Sequence, residues 1–210
     1  MKLRFSIQAM LAAVVGCFLA TGAAAQSAKV PESALTSRNI KAIGYPVNGG
    51  STSVDLVNSG SIRGMSGKAK VQARPGVTQV EVQVEGMSPP SKLGAEFLTY
   101  VLWAVSPEGR AVNLGEVVFN SNGKGQLKAT TQLPTFSLFV TAEPYFAVRQ
   151  PSEMLILENA LRENTKGRIF VVENYPLMKR SQYQKLGNPL ALTPDTKNVP
   201  SDQSARLPGK

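Results

Sequence analysis

Apolar and polar side chains alternate along much of the middle of this chain, most clearly in two adjacent runs. In Lys68–Arg74, the residues Ala69, Val71 and Ala73 interleave with Lys68, Lys70, Gln72 and Arg74. In Val77–Glu85, the residues Val80, Val82 and Val84 interleave with Gln79, Glu81, Gln83 and Glu85. A period of two sends alternate side chains to opposite faces, so each run predicts a strand with one buried and one wet face. Pro75-Gly76 between them suits the central positions of a type II turn, where proline sets φ and glycine accepts a positive φ. A two-residue turn fixes the register. Val71 then faces Val80 and Ala69 faces Val82 on the core side, while Lys70 faces Glu81 on the other. Tight hairpins favour primed turns, so a longer loop with a shifted register is the alternative.

The same grammar runs from about Ile40 to Val172, with short strands separated by turn signals and hardly any helical period. Asn48-Gly49-Gly50 and Asn122-Gly123 predict two more hairpins, joining Ile40–Val47 to Thr52–Val57 and Gly115–Phe119 to Gln126–Thr131. Leu98–Val105 and Phe136–Thr141 are apolar on both faces and read as central strands between packed layers. Met154–Leu157 and Arg168–Val172 are shorter candidates that complete the sheets. Tyr100 and Trp103, three residues apart on one strand, point to opposite faces, which places at least one of them in the core. Many short strands at this spacing predict an all-β, antiparallel sandwich or barrel, with the sandwich favoured.

Outside that core the pattern changes. Lys2 and Arg4 open the chain, an uncharged apolar run continues through Phe18 and Leu19, and Ala23-Ala24-Ala25 precedes Gln26. This is the anatomy of a secretory signal peptide cleaved between Ala25 and Gln26. Two rivals stand beside that reading. One is a lipobox at Val14-Val15-Gly16-Cys17, with Cys17 lipidated and retained; the other is an uncleaved membrane anchor. The expected organisation is therefore a signal peptide at 1–25, a polar lead-in at 26–37, a β-sandwich at 38–174 and a basic, proline-containing tail at 175–210. One or two helical turns are expected around Leu177, Met178 and Tyr183, with an extended tail beyond Gly187.

Composition changes the picture by subtraction. The chain has no histidine and one cysteine, Cys17, which cleavage at Ala25 would discard. Hydrophobic content of 42% with 18% charged residues describes a globular chain, so packing rather than disulfides must hold it together. The formal charge of +9 drops by two, to +7, when Lys2 and Arg4 leave with the signal. A positive balance outside the membrane favours acidic envelope polymers, anionic head groups or acidic proteins. No basic cluster with interleaved aromatics points to nucleic acid.

Without imidazole or thiol, nucleophilic catalysis would need a Ser–Lys or carboxylate pair. Glu96, Glu108, Glu143, Glu153 and Glu158 fall at expected strand ends or loops, as surface acids do, and no catalytic set is assigned. Asp55-Leu56-Val57-Asn58 lacks the clustered oxygen ligands of a calcium loop, so no metal or cofactor is expected. Binding is the better-supported class. Tyr145 and Phe146, just after Pro144, sit in an expected loop where exposed rings could stack on a sugar or a partner; the alternative folds them back over the sandwich end. Glu143, closing an apolar strand, is placed to accept backbone N–H bonds and fix that loop.

Tyr100-Val101-Leu102-Trp103 through Gly115, then Phe139-Val140-Thr141-Ala142-Glu143-Pro144, then Pro151 and Met154-Leu155-Ile156-Leu157 follow one another in a familiar order. The stretch resembles the extracytoplasmic domain of anti-sigma-K-type factors, and a module found ahead of OmpA-type domains in some environmental bacteria. The resemblance implies an immunoglobulin-like β-sandwich outside the cytoplasm and carries over no catalytic or ligand residue. Three functional expectations result. The first is a non-enzymatic envelope module contacting a protein or an acidic polymer. The second is a carbohydrate-binding or polysaccharide-active domain using Tyr145, Phe146 and Glu143. The third, implied by the resemblance, is a sensor or regulatory domain.

Overall fold

The strands β1 (Leu35–Gly44), β2 (Ser51–Asn58), β3 (Ser66–Arg74), β4 (Val77–Glu85) and β5 (Thr99–Val105) form the first half of the fold. They are followed by β6 (Ala111–Glu116), β7 (Gly125–Thr131), β8 (Thr135–Glu143), β9 (Leu155–Ala160), β10 (Arg168–Met178) and the helix α1 (Arg180–Leu186). The computed structural model describes residues 31–59, 63–163 and 165–186. The cleavage site at Ala25 and Gln26, the lipidation candidate Cys17, most of the lead-in and the tail beyond Leu186 lie outside the described residues. Among the described residues no helix is long and apolar enough to cross a membrane.

Every pairing between these strands is antiparallel, and the chain is all-β as its pattern predicts. The sheet runs in the order β10-β1-β8-β9-β2-β3-β4-β7; off this path β5 pairs with β8 from Ser137 to Glu143, and β6 pairs with β5. It coils into a nearly closed, sandwich-like barrel. The connection after β6 meets the start of β7 through an isolated antiparallel bridge, Phe119 to Gly125.

The β3–β4 hairpin has the register that its alternation dictates. Val71 pairs with Val80, Ala69 with Val82 and Lys70 with Glu81, closing at Arg74–Val77 around Gly76 at φ +77°. The valines and alanines of the inner face are buried. The two other expected hairpins are not formed as strand pairs. Asn48 and Gly50 do take positive φ and reverse the chain, but the reversal carries it from one layer to another. β1 is held along its whole length by β10 and touches β8 at its end, while β2 pairs with β3 and β9. Likewise Asn120–Gly123 turns the chain, after which β6 stays with β5 and β7 joins β4.

The reason lies in the two cores. Tyr100, Leu102 and Ala104 of β5 join Leu138 and Val140 of β8 in the core enclosed by β2, β3, β4 and β7. Val101, Trp103, Val105 and Phe139 point the other way, into a second core covered by Ile40, Ala42, Val172, Tyr175 and Leu177 of β1 and β10. The pair β5–β8 is therefore buried on both faces, and Tyr100 and Trp103 are both core residues. β1 lies with β10 over the second core, whereas β2 lies with β3 and β9 around the first, so the two strands serve different cores. Folding also runs past the expected boundaries: Glu32–Ala34 form a 3-10 turn, Leu35–Ser37 already belong to β1, and β10 extends through Tyr175 to Met178. The expected helical turn begins later, at Arg180.

Candidate functional site: a braced loop over a buried carboxyl

Between β8 and β9 the chain makes a loop, residues 144–152, whose side chains divide sharply. Tyr145 and Phe146 are 55% and 62% exposed, and Ala147 and Arg149 are exposed too, whereas Val148 is buried in the second core. The backbone is held from several sides. Asn113 of β6 donates its amide to the carbonyls of Phe146 (2.8 Å) and Val148 (2.9 Å). It reaches them from an irregularity in the β5–β6 ladder, where the register shifts between Leu102 and Trp103. Gly115 at φ +121° allows that irregularity, and its N–H donates to Asn113 Oδ1. Bulges commonly re-aim a side chain in this way. At the far end, Pro151 accepts from the Met178 N–H, and Ser152 donates its hydroxyl to the Ala142 carbonyl at 2.7 Å.

Glu143 ends β8 beneath this loop with no solvent exposure. Its Oε1 accepts from the Thr141 hydroxyl (2.5 Å) and from the Ser152 N–H (2.7 Å). Its Oε2 accepts from the Tyr183 hydroxyl of α1 at 3.1 Å. Thr141 in turn accepts the indole N–H of Trp103 at 2.8 Å, so the chain's single tryptophan is one hydrogen bond removed from the carboxyl. Burial pushes the Glu143 carboxyl up to about 7, against the opposing pull of the bonds from Thr141, Ser152 and Tyr183. The Tyr183 hydroxyl is raised above its ordinary value by burial and by the neighbouring Glu143. Of the backbone N–H bonds expected at Glu143, the structure shows one, from Ser152 at the far end of the loop.

Around α1 the other acids are engaged. Arg180 pairs with Glu96, donates its backbone N–H to Glu153 (2.7 Å) and lies over the Phe97 ring at 5.6 Å. Tyr183 meets the same ring edge-on, at 6.4 Å and 85°. Glu158 pairs with Arg38, and Glu108 sits at the other end of β5, where a bond from Ser106 lowers its carboxyl. Among the described residues no group of three or more metal-ligating acids, histidines or cysteines occurs.

The structure thus brings Glu143, Tyr145 and Phe146 to one corner, the acid beneath and the rings outside. Asn113, Ser152 and Arg149 also belong to that corner and went unmarked in the sequence, and Tyr183, expected only as part of a helical turn, joins them. Gly115 two residues after Asn113 was a signal for the bulge; nothing local pointed to Tyr183. Comparison with protein-family models, with curated proteins and with solved structures found no match.

Proposed function

We propose that this chain is an exported, non-enzymatic binding module of the cell envelope that holds an acidic envelope polymer or a protein through its 144–152 loop. The observation that supports this reading is the loop itself. It offers two rings and a cation, Tyr145, Phe146 and Arg149, on a backbone anchored at Phe146, Val148, Pro151 and Ser152. A braced loop has little freedom to lose on binding, and aromatic and arginine side chains make good contact anchors. The formal charge of +9, which becomes +7 when Lys2 and Arg4 leave with the signal, favours an anionic partner. Export is inferred from the signal anatomy of residues 1–25. The intact mass of the protein from cells separates a chain beginning at Gln26 from one beginning at a lipidated Cys17.

The exposed pair of rings also favours a second reading, in which the ligand is a polysaccharide stacked on Tyr145 and Phe146. One experiment separates the two. Retention on purified cell-wall and capsule polymers, measured at rising salt, falls away if charge dominates and persists if stacking dominates. In either case the Tyr145→Ala, Phe146→Ala double variant should weaken retention about tenfold, the loss of one modest contact anchor. Unchanged retention would remove this loop as the contact surface.

A further inference from the structure

The loop assigned to binding and the helix α1 share one buried support. Glu143 gives one oxygen to each: Oε1 to the Ser152 N–H at the base of the loop, Oε2 to the Tyr183 hydroxyl of the helix. We propose that Glu143 is a proton-operated latch, whose protonated form holds α1 and the loop base against the sandwich and whose ionisation loosens them, so that pH sets how firmly the binding loop is presented.

The argument starts from solvation. With α1 in place the carboxyl has no exposed surface, and among the described residues no ion pair reaches it. The titratable and charged groups on the elements packed around it are otherwise engaged or neutral. Arg180 on α1 is taken up by Glu96, the Tyr183 hydroxyl is held above its ordinary value by burial and by Glu143, and Tyr145 lies exposed on the loop. On β5, Thr99 is bonded to Glu116, and Glu153 before β9 holds the Arg180 N–H. Arg149 is exposed on the loop.

An ionised carboxylate in this setting gains hydration when the helix lifts, whereas a neutral carboxyl gains far less. With the acid proton on Oε2, that oxygen keeps a lone pair to accept from the Tyr183 hydroxyl, and Oε1 keeps its bonds from Thr141 and Ser152. The sign follows from linkage. The docked carboxyl is held at about 7 and returns toward its ordinary 4.5 when hydrated. Docking is therefore firmest below about pH 4.5, weakens as pH rises and is weakest above about pH 7. The latch deepens the binding reading, since it regulates the same loop, yet it can be tested without any ligand.

Trp103 reports the state of the latch through Thr141. The test uses the full chain between pH 5 and 9, following Trp103 fluorescence together with amide exchange at residues 145–152 and 180–183. The expected result is a fluorescence transition with a midpoint near pH 7. Exchange at both segments, corrected for base catalysis, should be more than about tenfold faster at the alkaline end. Glu143→Gln should abolish the fluorescence transition and the pH dependence of exchange together. Tyr183→Phe keeps the ring against Phe97 and the burial of Glu143, so the pH dependence should remain, while exchange at 180–183 is faster at pH 5 because the bond to Oε2 is lost. A wild-type profile retained in Glu143→Gln, or unchanged exchange at 180–183 in Tyr183→Phe at pH 5, would overturn the latch. So would a Trp103 transition with no change in exchange at α1. Loss of polymer retention with the latch intact would instead count against the binding reading alone.

Discussion

The β3–β4 hairpin and the corner where β8, the 144–152 loop and α1 meet are held together by opposite means. In the hairpin every cross-strand pair from Ser66–Glu85 inward is local, and the buried inner-face residues are alanines and valines with one threonine, Thr78. In the corner the decisive contacts are polar and distant: Trp103 to Thr141 spans 38 residues, and Tyr183 to Glu143 spans 40. The hairpin is stabilised in proportion to apolar area removed from water. The corner depends on each buried donor finding its acceptor, and such networks fail as units when one member is lost. A region of the first kind yields gradually to mutation, and a region of the second kind yields abruptly.

The largest effect expected on that contrast comes from Glu143→Ala. The change leaves the Thr141 hydroxyl and the Ser152 N–H buried without their acceptor and releases Tyr183. At pH 5, where the carboxyl is neutral and its removal relieves no buried charge, the cost should be about 3 kcal/mol in urea unfolding. Trp103 emission should shift, and amides 145–152 should exchange faster. A loss under about 1 kcal/mol with unchanged emission would show that the corner is held by packing, as the hairpin is.

Val82→Ala probes the other side. Val82 is fully buried on the inner face of β4, opposite Ala69. Removing two methyl groups and leaving a partial cavity should cost about 2 kcal/mol. Trp103 emission and exchange in the 144–152 loop should stay as they are. A shift in either would mean that the two regions move together.

The same contrast explains what could be read from the sequence. The β3–β4 register was legible to the residue pair because a period of two and a Pro-Gly turn are local facts. β5 and β8 were legible as central strands because unbroken apolar runs have nowhere else to go. The partners of β1, β2, β6 and β7 were not. Asn48 and Gly50 announce a reversal of the chain, but not which strand lies beside it afterwards. That was decided by β10, more than a hundred residues away, which claims β1 to roof the second core. Glu143 stood out as an acid closing an apolar strand, and its bond to Ser152 follows from that position. Whether Tyr145 and Phe146 would be exposed depended on Val148 taking the core position and on Asn113 bracing the loop from β6, and that brace is not visible in the loop's own residues.

The smallest expected effect isolates what the hairpin owes to backbone alone. Gly76 sits at φ +77° between Pro75 and Val77, and a Cβ built there would meet nothing within 4 Å. Gly76→Ala therefore tests conformation without crowding. A left-handed conformation costs an alanine roughly 1 kcal/mol, because its Cβ crowds the adjoining backbone. The expected loss is about that much in urea unfolding, with the Arg74–Val77 closure intact and the corner untouched. A loss of several times that size would mean that the turn dictates the register, so that disturbing it slips valines out of the core. A loss near zero would mean that the alternating faces hold the register by themselves, and that the turn merely follows the strands it joins.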